Sequence, residues 1–178
     1  MYSYVAMEQY EKAIKQCLEI LQENNIDEIW YELGNNYMYV NDPIKAIEAY
    51  LNVKEETKQL TKNLSIARAY SLIANYHKTI KYLNQCKDKK TNLDVIHGFI
   101  ESYENLGDKG KAIKYIKKAL EIEQKFVVGK SFEPKLNYHL ATIYKANNMD
   151  NEIAPIKQEL LKSTFELAPN FEKKINKL

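Results

Sequence analysis

Arginine is nearly missing from this chain: Arg68 is the only one in 178 residues, and lysine supplies the rest of the fixed basic charge. Sites that grip phosphate or base edges favour the flat, two-pronged guanidinium, so its scarcity argues against nucleic-acid recognition. A low-GC coding bias, which enriches Lys, Asn, Ile and Tyr together, is the preferred account of the shortage. The net charge of +2 creates no field that would draw in a polyanion or an anionic membrane. Glycine and proline are also scarce, at five and four residues, which disfavours a turn-rich all-β fold. The two cysteines, Cys17 and Cys86, each sit among apolar residues at helical spacing. They read as buried, reduced thiols of a cytoplasmic protein. No run approaches the ~18 apolar residues of a membrane span. Met1 to Lys12 has neither the basic start nor the apolar centre of a signal peptide.

What the chain has instead is a period. Lys12-Ala13-Ile14 returns as Lys45-Ala46-Ile47, as Lys78-Thr79-Ile80 and as Lys111-Ala112-Ile113, each 33 residues after the last. The same interval relates Tyr4, Tyr37, Tyr70 and Tyr103; Met7, Val40, Ile73 and Leu106; Cys17, Tyr50, Leu83 and Ile116; and Ile20, Val53, Cys86 and Ala119. A column that stays apolar or aromatic through four copies is a packing position seen four times.

Within one copy the pattern is helical. Trp30, Leu33, Gly34 and Tyr37 fall on one face of a helix, and Ala46, Ile47, Tyr50 and Val53 on one face of another. Asn41-Asp42-Pro43 separates them, with Asp42 placed to cap the second helix and Pro43 at its first position. Leu106-Gly107-Asp108 makes the same break in a later copy. Each unit therefore reads as helix, short turn, antiparallel helix, and neither stripe can be buried unless units stack. Small residues Gly34, Ala67 and Ala141 mark where the paired helices come closest, with Ala46 and Ala112 on the second helices. Large tyrosines fill the space around that crossing.

"WYELGNNY", followed by Ala46, Tyr50 and Val53, resembles the tetratricopeptide repeat (TPR). Ile26 to about Gln59, Leu60 to Asn92, Leu93 to Phe126 and the later "LNYHLATIY" carry the likeness, which spans residues 27–167. The Thr-Pro-Leu-His turn of ankyrin repeats, which share the period, occurs nowhere. The resemblance implies an all-α fold, a right-handed α-solenoid of stacked antiparallel helix pairs. As a single array over 1–178, the expected divisions are an incomplete unit at 1–25, repeats at 26–59, 60–92, 93–133 and 134–169, and a C-terminal cap at 170–178.

Some positions depart from the pattern. Ile100 stands where the close approach wants Gly or Ala, so splaying is expected there, and Thr79 replaces an alanine. Tyr103 to Tyr144 is a step of 41 residues, with the surplus around "FVVGKSFEP". Pro155 falls in an expected second helix, and "LAPN" at 167–170 resembles the usual repeat exit. At the start, Tyr10 to Gln22 reads as a second helix with only Met1 to Met7 left for its partner. Ile14, Leu18 and Leu21 would then be poorly covered. The expectation is an upstream segment missing from this chain, or self-association at that end.

In TPR proteins the first helices line a concave face that binds an extended peptide or a partner helix. By register that face here holds Tyr31, Asn35 and Tyr39; Arg68 and Ser71; His97, Glu101 and Glu104; and Tyr138, Thr142 and Lys145. Of these, Tyr31, Asn35, Tyr39, Arg68, His97, Glu101, Tyr138 and Thr142 are the candidate partner-binding residues. The alternative is that each belongs to a solvated polar face. Chaperone-binding TPR proteins grip a C-terminal carboxylate with paired lysines and asparagines plus an arginine; Asn35 matches one of those sites, but Tyr31 stands where a lysine belongs and Asp94 and Gly98 where the remaining basic pair does. That clamp is absent. A second resemblance is to the sensor domains of Gram-positive peptide-responsive regulators, which the 41-residue step and the Asn35/Asn36 pair would suit.

No constellation for catalysis is present. His97 and Glu101 are four residues apart on one helix but have no third metal ligand at a recognisable spacing. There is no phosphate loop, cysteine pair or nucleophile elbow. The reading is a non-enzymatic scaffold with no cofactor and no metal, binding protein or peptide rather than nucleic acid or membrane. The lysine columns read as a solvated outer stripe, and Phe126-Val127-Val128-Gly129 with Phe132 as a further contact surface or a buried helix extension.

Overall fold

A computed structural model describes residues 4–54, 59–126, 133–162 and 171–178. The chain divides into two compact units, Met1–Leu106 and Gly107–Leu178. The first holds α1 (Tyr4–Glu23), α2 (Asp27–Tyr39), α3 (Pro43–Asn52), α4 (Gln59–Leu72), α5 (Tyr76–Gln85) and α6 (Leu93–Asn105). The second holds α7 (Lys109–Phe126), α8 (Glu133–Ala146), α9 (Asp150–Lys162) and the short α10 (Phe171–Ile175). The described residues contain no strand. In each unit consecutive helices pack on one another, and in the first α4 also meets α6. The all-α architecture of stacked helix pairs expected from the periodicity is what forms.

The turns show why the period is so strict. Asn41, Ala74, Gly107 and Asn148 all adopt positive φ, between 55° and 75°. Such a residue ends a helix by turning the chain into the left-handed region. The turn closes onto the tyrosine column: the Asp42 N–H donates to the Tyr37 carbonyl at 2.8 Å, that of Asn75 to Tyr70 at 2.9 Å, and that of Met149 to Tyr144 at 3.0 Å. The next helix is then capped. Asp42, Asn75 and Asp108 each accept the backbone N–H of the residue three further on, Lys45, Lys78 and Lys111, at 3.1–3.2 Å. In the three later triplets the lysine is thus the position whose N–H the cap satisfies. Lys45 and Lys111 also pair with their capping carboxylates at 3.0 and 2.7 Å.

The first copy lacks this punctuation. Gln9 stands where the cap should be and Tyr10 where Pro43 is. Nothing there competes with helix continuation, and Tyr4 to Glu23 is one unbroken helix. The expected division between a short piece ending at Met7 and a helix from Tyr10 is corrected accordingly. Ile14 and Leu21 are also better covered than expected: they pack half-buried against the cluster of Cys17, Leu33 and Ala49, while Leu18 stays 41% exposed.

The core follows the columns. Ala46, Ile47, Tyr50, Ile66, Ala69 and Tyr70 form one buried cluster between α3 and α4, with Tyr31, Tyr37, Met38 and Tyr82 packed on it. Thr79 is tolerated in an alanine column because its hydroxyl donates to the Asn75 carbonyl at 3.2 Å. Pro155 lies inside α9, beyond its first turn, and the helix runs on to Lys162. Ile175 of α10 is fully buried, and α10 packs on α9. Beyond the helical backbone of Phe126, the expected contact surface at 126–132 lies outside the described residues, as does Leu167 to Asn170.

Candidate binding face

Three helices of the first unit, α2, α4 and α6, present side chains to one another across a common surface. The hydroxyls of Tyr31 on α2 and Ser65 on α4 are 3.1 Å apart. Between α4 and α6 the Arg68 guanidinium meets the Asp94 carboxylate at 3.1 Å, and Ser71 donates to Glu101 Oε1 at 3.0 Å. These contacts put Tyr31, Arg68, Asp94 and Glu101 on one face. Both members of the Arg68–Asp94 pair are more than half exposed, so the pair contributes little to stability and can be displaced.

Tyr50 reaches this face from α3. Its ring passes over Gly34, which has no side chain to block it. Its hydroxyl donates to Asn35 Oδ1 at 2.8 Å. Burial pushes the Tyr50 hydroxyl well above its ordinary pKa, with the neighbouring Tyr31 adding to the shift, so it stays a neutral donor. The Asn35 carbonyl is thus already engaged, and its amide N–H groups are what it can offer a partner. The rings of Tyr31 and Tyr50 lie 5.4 Å apart and tilted. A cavity of about 160 Å³ opens beside them, lined by Asn35, Met38, Tyr39, Tyr50, Ser65 and Arg68.

Of the residues expected from the register, Asn35, Tyr39 and Arg68 therefore line one cavity, with Tyr31 bonded to its wall. His97 is exposed on α6 and Glu101 is joined to α4 through Ser71. Tyr138 and Thr142 lie in the second unit on α8, where the Thr142 hydroxyl donates to the His139 carbonyl at 2.7 Å. Sequence reasoning missed Tyr50, Ser65 and Met38 as lining residues, and Tyr10, whose ring stacks on Tyr39 at 4.5 Å. Tyr50 carried a signal, as the large residue of a column opposite a glycine, but it reads equally as core.

The chemistry on offer is aromatic contact, amide and hydroxyl hydrogen bonding and a displaceable ion pair. Among the described residues no three metal-ligating side chains cluster. No helix among them is long and apolar enough to cross a membrane.

Residues 101–126 match the model of the tetratricopeptide repeat family. This is a tetratricopeptide-repeat fold. Among solved structures, the crystal structure of MamA is similar over 91% of this chain and 95% of its own, with a TM-score of 0.73 at 19% identity. MamA from Desulfovibrio magneticus RS-1, residue 41 to its end, covers 88% of this chain and 93% of its own, with a TM-score of 0.65 at 15% identity. Nearly identical TPR-like repeats from a Podosopora anserina protein described as a kinesin light chain cover 89% and 85%, with a TM-score of 0.66 at 17% identity. At such identities the likeness is one of fold. Among functionally curated proteins none matches by sequence.

Proposed function

We propose that this TPR chain is a non-catalytic scaffold that holds a peptide or protein partner on the face shared by α2, α4 and α6. The observation that carries this reading is the cavity between α2 and α4, where Asn35, Tyr39 and Arg68 converge beside a neutral, buried tyrosine hydroxyl. Tyrosine gives broad contact at small entropic cost, and an amide or guanidinium gives direction to it. The stacked helix pairs hold these groups on a rigid platform, so little ordering is required of the protein when a partner arrives.

The test is affinity capture from the source cell's lysate with the full chain, reading proteins and short peptides by mass spectrometry, beside an Asn35→Ala/Tyr39→Ala variant. A captured species lost in the variant, with helix content unchanged by circular dichroism, supports the face. A captured species indifferent to both substitutions refutes it.

A further inference from the structure

The charges on the first unit are sorted by helix. Among the described residues, α2 and α6 carry three carboxylates each and neither a lysine nor an arginine. On α4 the charged residues are Lys62 and Arg68. Lys62 is turned to the junction with α3, where its ammonium holds the Val53 carbonyl. Asp27 is likewise turned aside and accepts the Lys54 N–H at 2.8 Å. Arg68 is left as the cation on the shared face, and Asp94 already meets it. The acids continue past that pair along α6: Glu101, tied to Ser71, lies two turns beyond Asp94, with Glu104 in the next turn. The outer helix α5 shows the opposite sorting, with Lys78 and Lys81 and no acid. A chain with a net charge of +2 therefore presents a face of locally negative character beside a cavity walled by tyrosine and methionine.

We infer that the occupant of this face is an extended, cationic peptide segment, with an apolar or aromatic side chain in the cavity between α2 and α4 and lysine or arginine laid against Asp94 and Glu101 of α6. The inference rests on the proposed binding face and names the chemistry of what it binds. Spacing supplies a further constraint. Packed helices lie ~8–10 Å apart, so α6 is about one and a half spacings, ~12–15 Å, from the cavity between α2 and α4; an extended chain advances ~3.3 Å per residue, and the basic residue falls roughly four or five positions from the apolar one. Arg68 is in this arrangement a competitor for Asp94, already occupying the place a partner's cation would take. An anionic ligand would gain Arg68 and meet the α6 carboxylates, whereas a cationic one exchanges a single exposed ion pair and gains the rest.

The test uses fluorescence anisotropy with the full chain and two labelled ten-residue peptides. One has phenylalanine followed four residues later by Lys-Arg; in the other, two glutamates replace that pair. The cationic peptide should bind, weaken with added salt, and lose about tenfold or more in affinity to Asp94→Asn/Glu101→Gln. Arg68→Gln should tighten it several-fold, which no account based on general loss of structure predicts. Tighter binding of the acidic peptide, or weakening of the cationic one by Arg68→Gln, overturns the charge assignment while leaving the face intact. Binding of the cationic peptide that ignores Asn35→Ala/Tyr39→Ala as well as the α6 substitutions shows instead that the face itself was wrongly chosen.

Discussion

The ring of Tyr50 lies across Gly34: a Cβ built on that glycine would stand 2.8 Å from Tyr50 Cζ and nearer still to the adjoining ring carbons. Tyr50 is 2% exposed and its hydroxyl is tied to Asn35, so the ring has little room to yield. Gly34→Ala should therefore destabilise the first unit by roughly 1–3 kcal/mol, the usual penalty of overpacking. Urea unfolding followed by circular dichroism checks this. Made in a Tyr50→Ala background, the same substitution should cost much less, because the atoms it strikes are gone. Equal costs in both backgrounds would show that the close approach does not set the spacing of α2 and α3.

The left-handed turn residues make a natural comparison series. Ala74 holds φ 55° where Gly107 holds φ 75°. For alanine this region costs ~1–2 kcal/mol, part of which glycine gives back through its more flexible unfolded chain, by ~0.4–1 kcal/mol. Ala74→Gly should then stabilise by about 0.5–1 kcal/mol, and Gly107→Ala should destabilise by a similar amount. A Cβ at Gly107 would touch nothing within 4 Å, so its effect reads the backbone alone. Denaturation midpoints moving in opposite directions would establish the turn as the common element of the repeat.

Much of this was legible from the residues. Asp42 before Pro43 announced a cap and a helix start, and both occur where expected. Ala46, Ala67, Ala112 and Ala141 are buried because the same contact recurs from unit to unit, which makes it visible as a period. What stayed hidden depends on reach rather than register. Tyr50 belongs to a packing column, yet its hydroxyl crosses to the binding face because Gly34 leaves the path open. Tyr10 meets Tyr39 because α1 continues through a position where a cap is absent, and a missing residue is a weaker signal than a present one. The Arg68–Asp94 pair joins residues far apart in the chain and of no recurring type, so no column reveals it.

The caps also predict how stability depends on pH. The Asp108 carboxyl is held below its usual value of 3.8, first by its hydrogen bond with the Lys111 ammonium and then by the Lys111 backbone N–H. For Asp42 burial pushes upward, but the backbone N–H and ammonium of Lys45 outweigh it and the net shift is again downward. A depressed carboxyl stabilises the fold above its unfolded value and loses that contribution as pH falls through the folded one. Stability should therefore decline below about pH 3.8. Asp42→Asn/Asp108→Asn keeps the cap, as Asn75 does at the equivalent position, and removes the titration. The double variant should be somewhat less stable than the parent at pH 7, having lost the contribution of the charged carboxyls, and should converge on it with a shallower loss between pH 4 and pH 2 by urea midpoint. Identical acid profiles would assign the loss to other carboxylates.

The two thiols report on how the first unit opens. Cys86 is 1% exposed, and burial pushes its pKa up to about 11, with Asp88 adding to the shift. Cys17 is raised mainly by burial as well, but it sits on α1, which packs chiefly on α2. A protonated, buried thiol is a poor nucleophile, so labelling requires an opening that admits both solvent and base. Helices with fewer neighbours open at lower free energy than those held on both sides, as α5 is between α4 and α6. With Ellman's reagent at pH 8, the thiol left in Cys86→Ala, which is Cys17, should therefore react well before the one left in Cys17→Ala. Low urea should speed Cys17 while leaving Cys86 slow until the main unfolding transition. If both thiols react at one rate that follows global unfolding, α1 is part of the same cooperative block as α5, and Tyr10 is then fixed on Tyr39 as firmly as the cavity walls themselves.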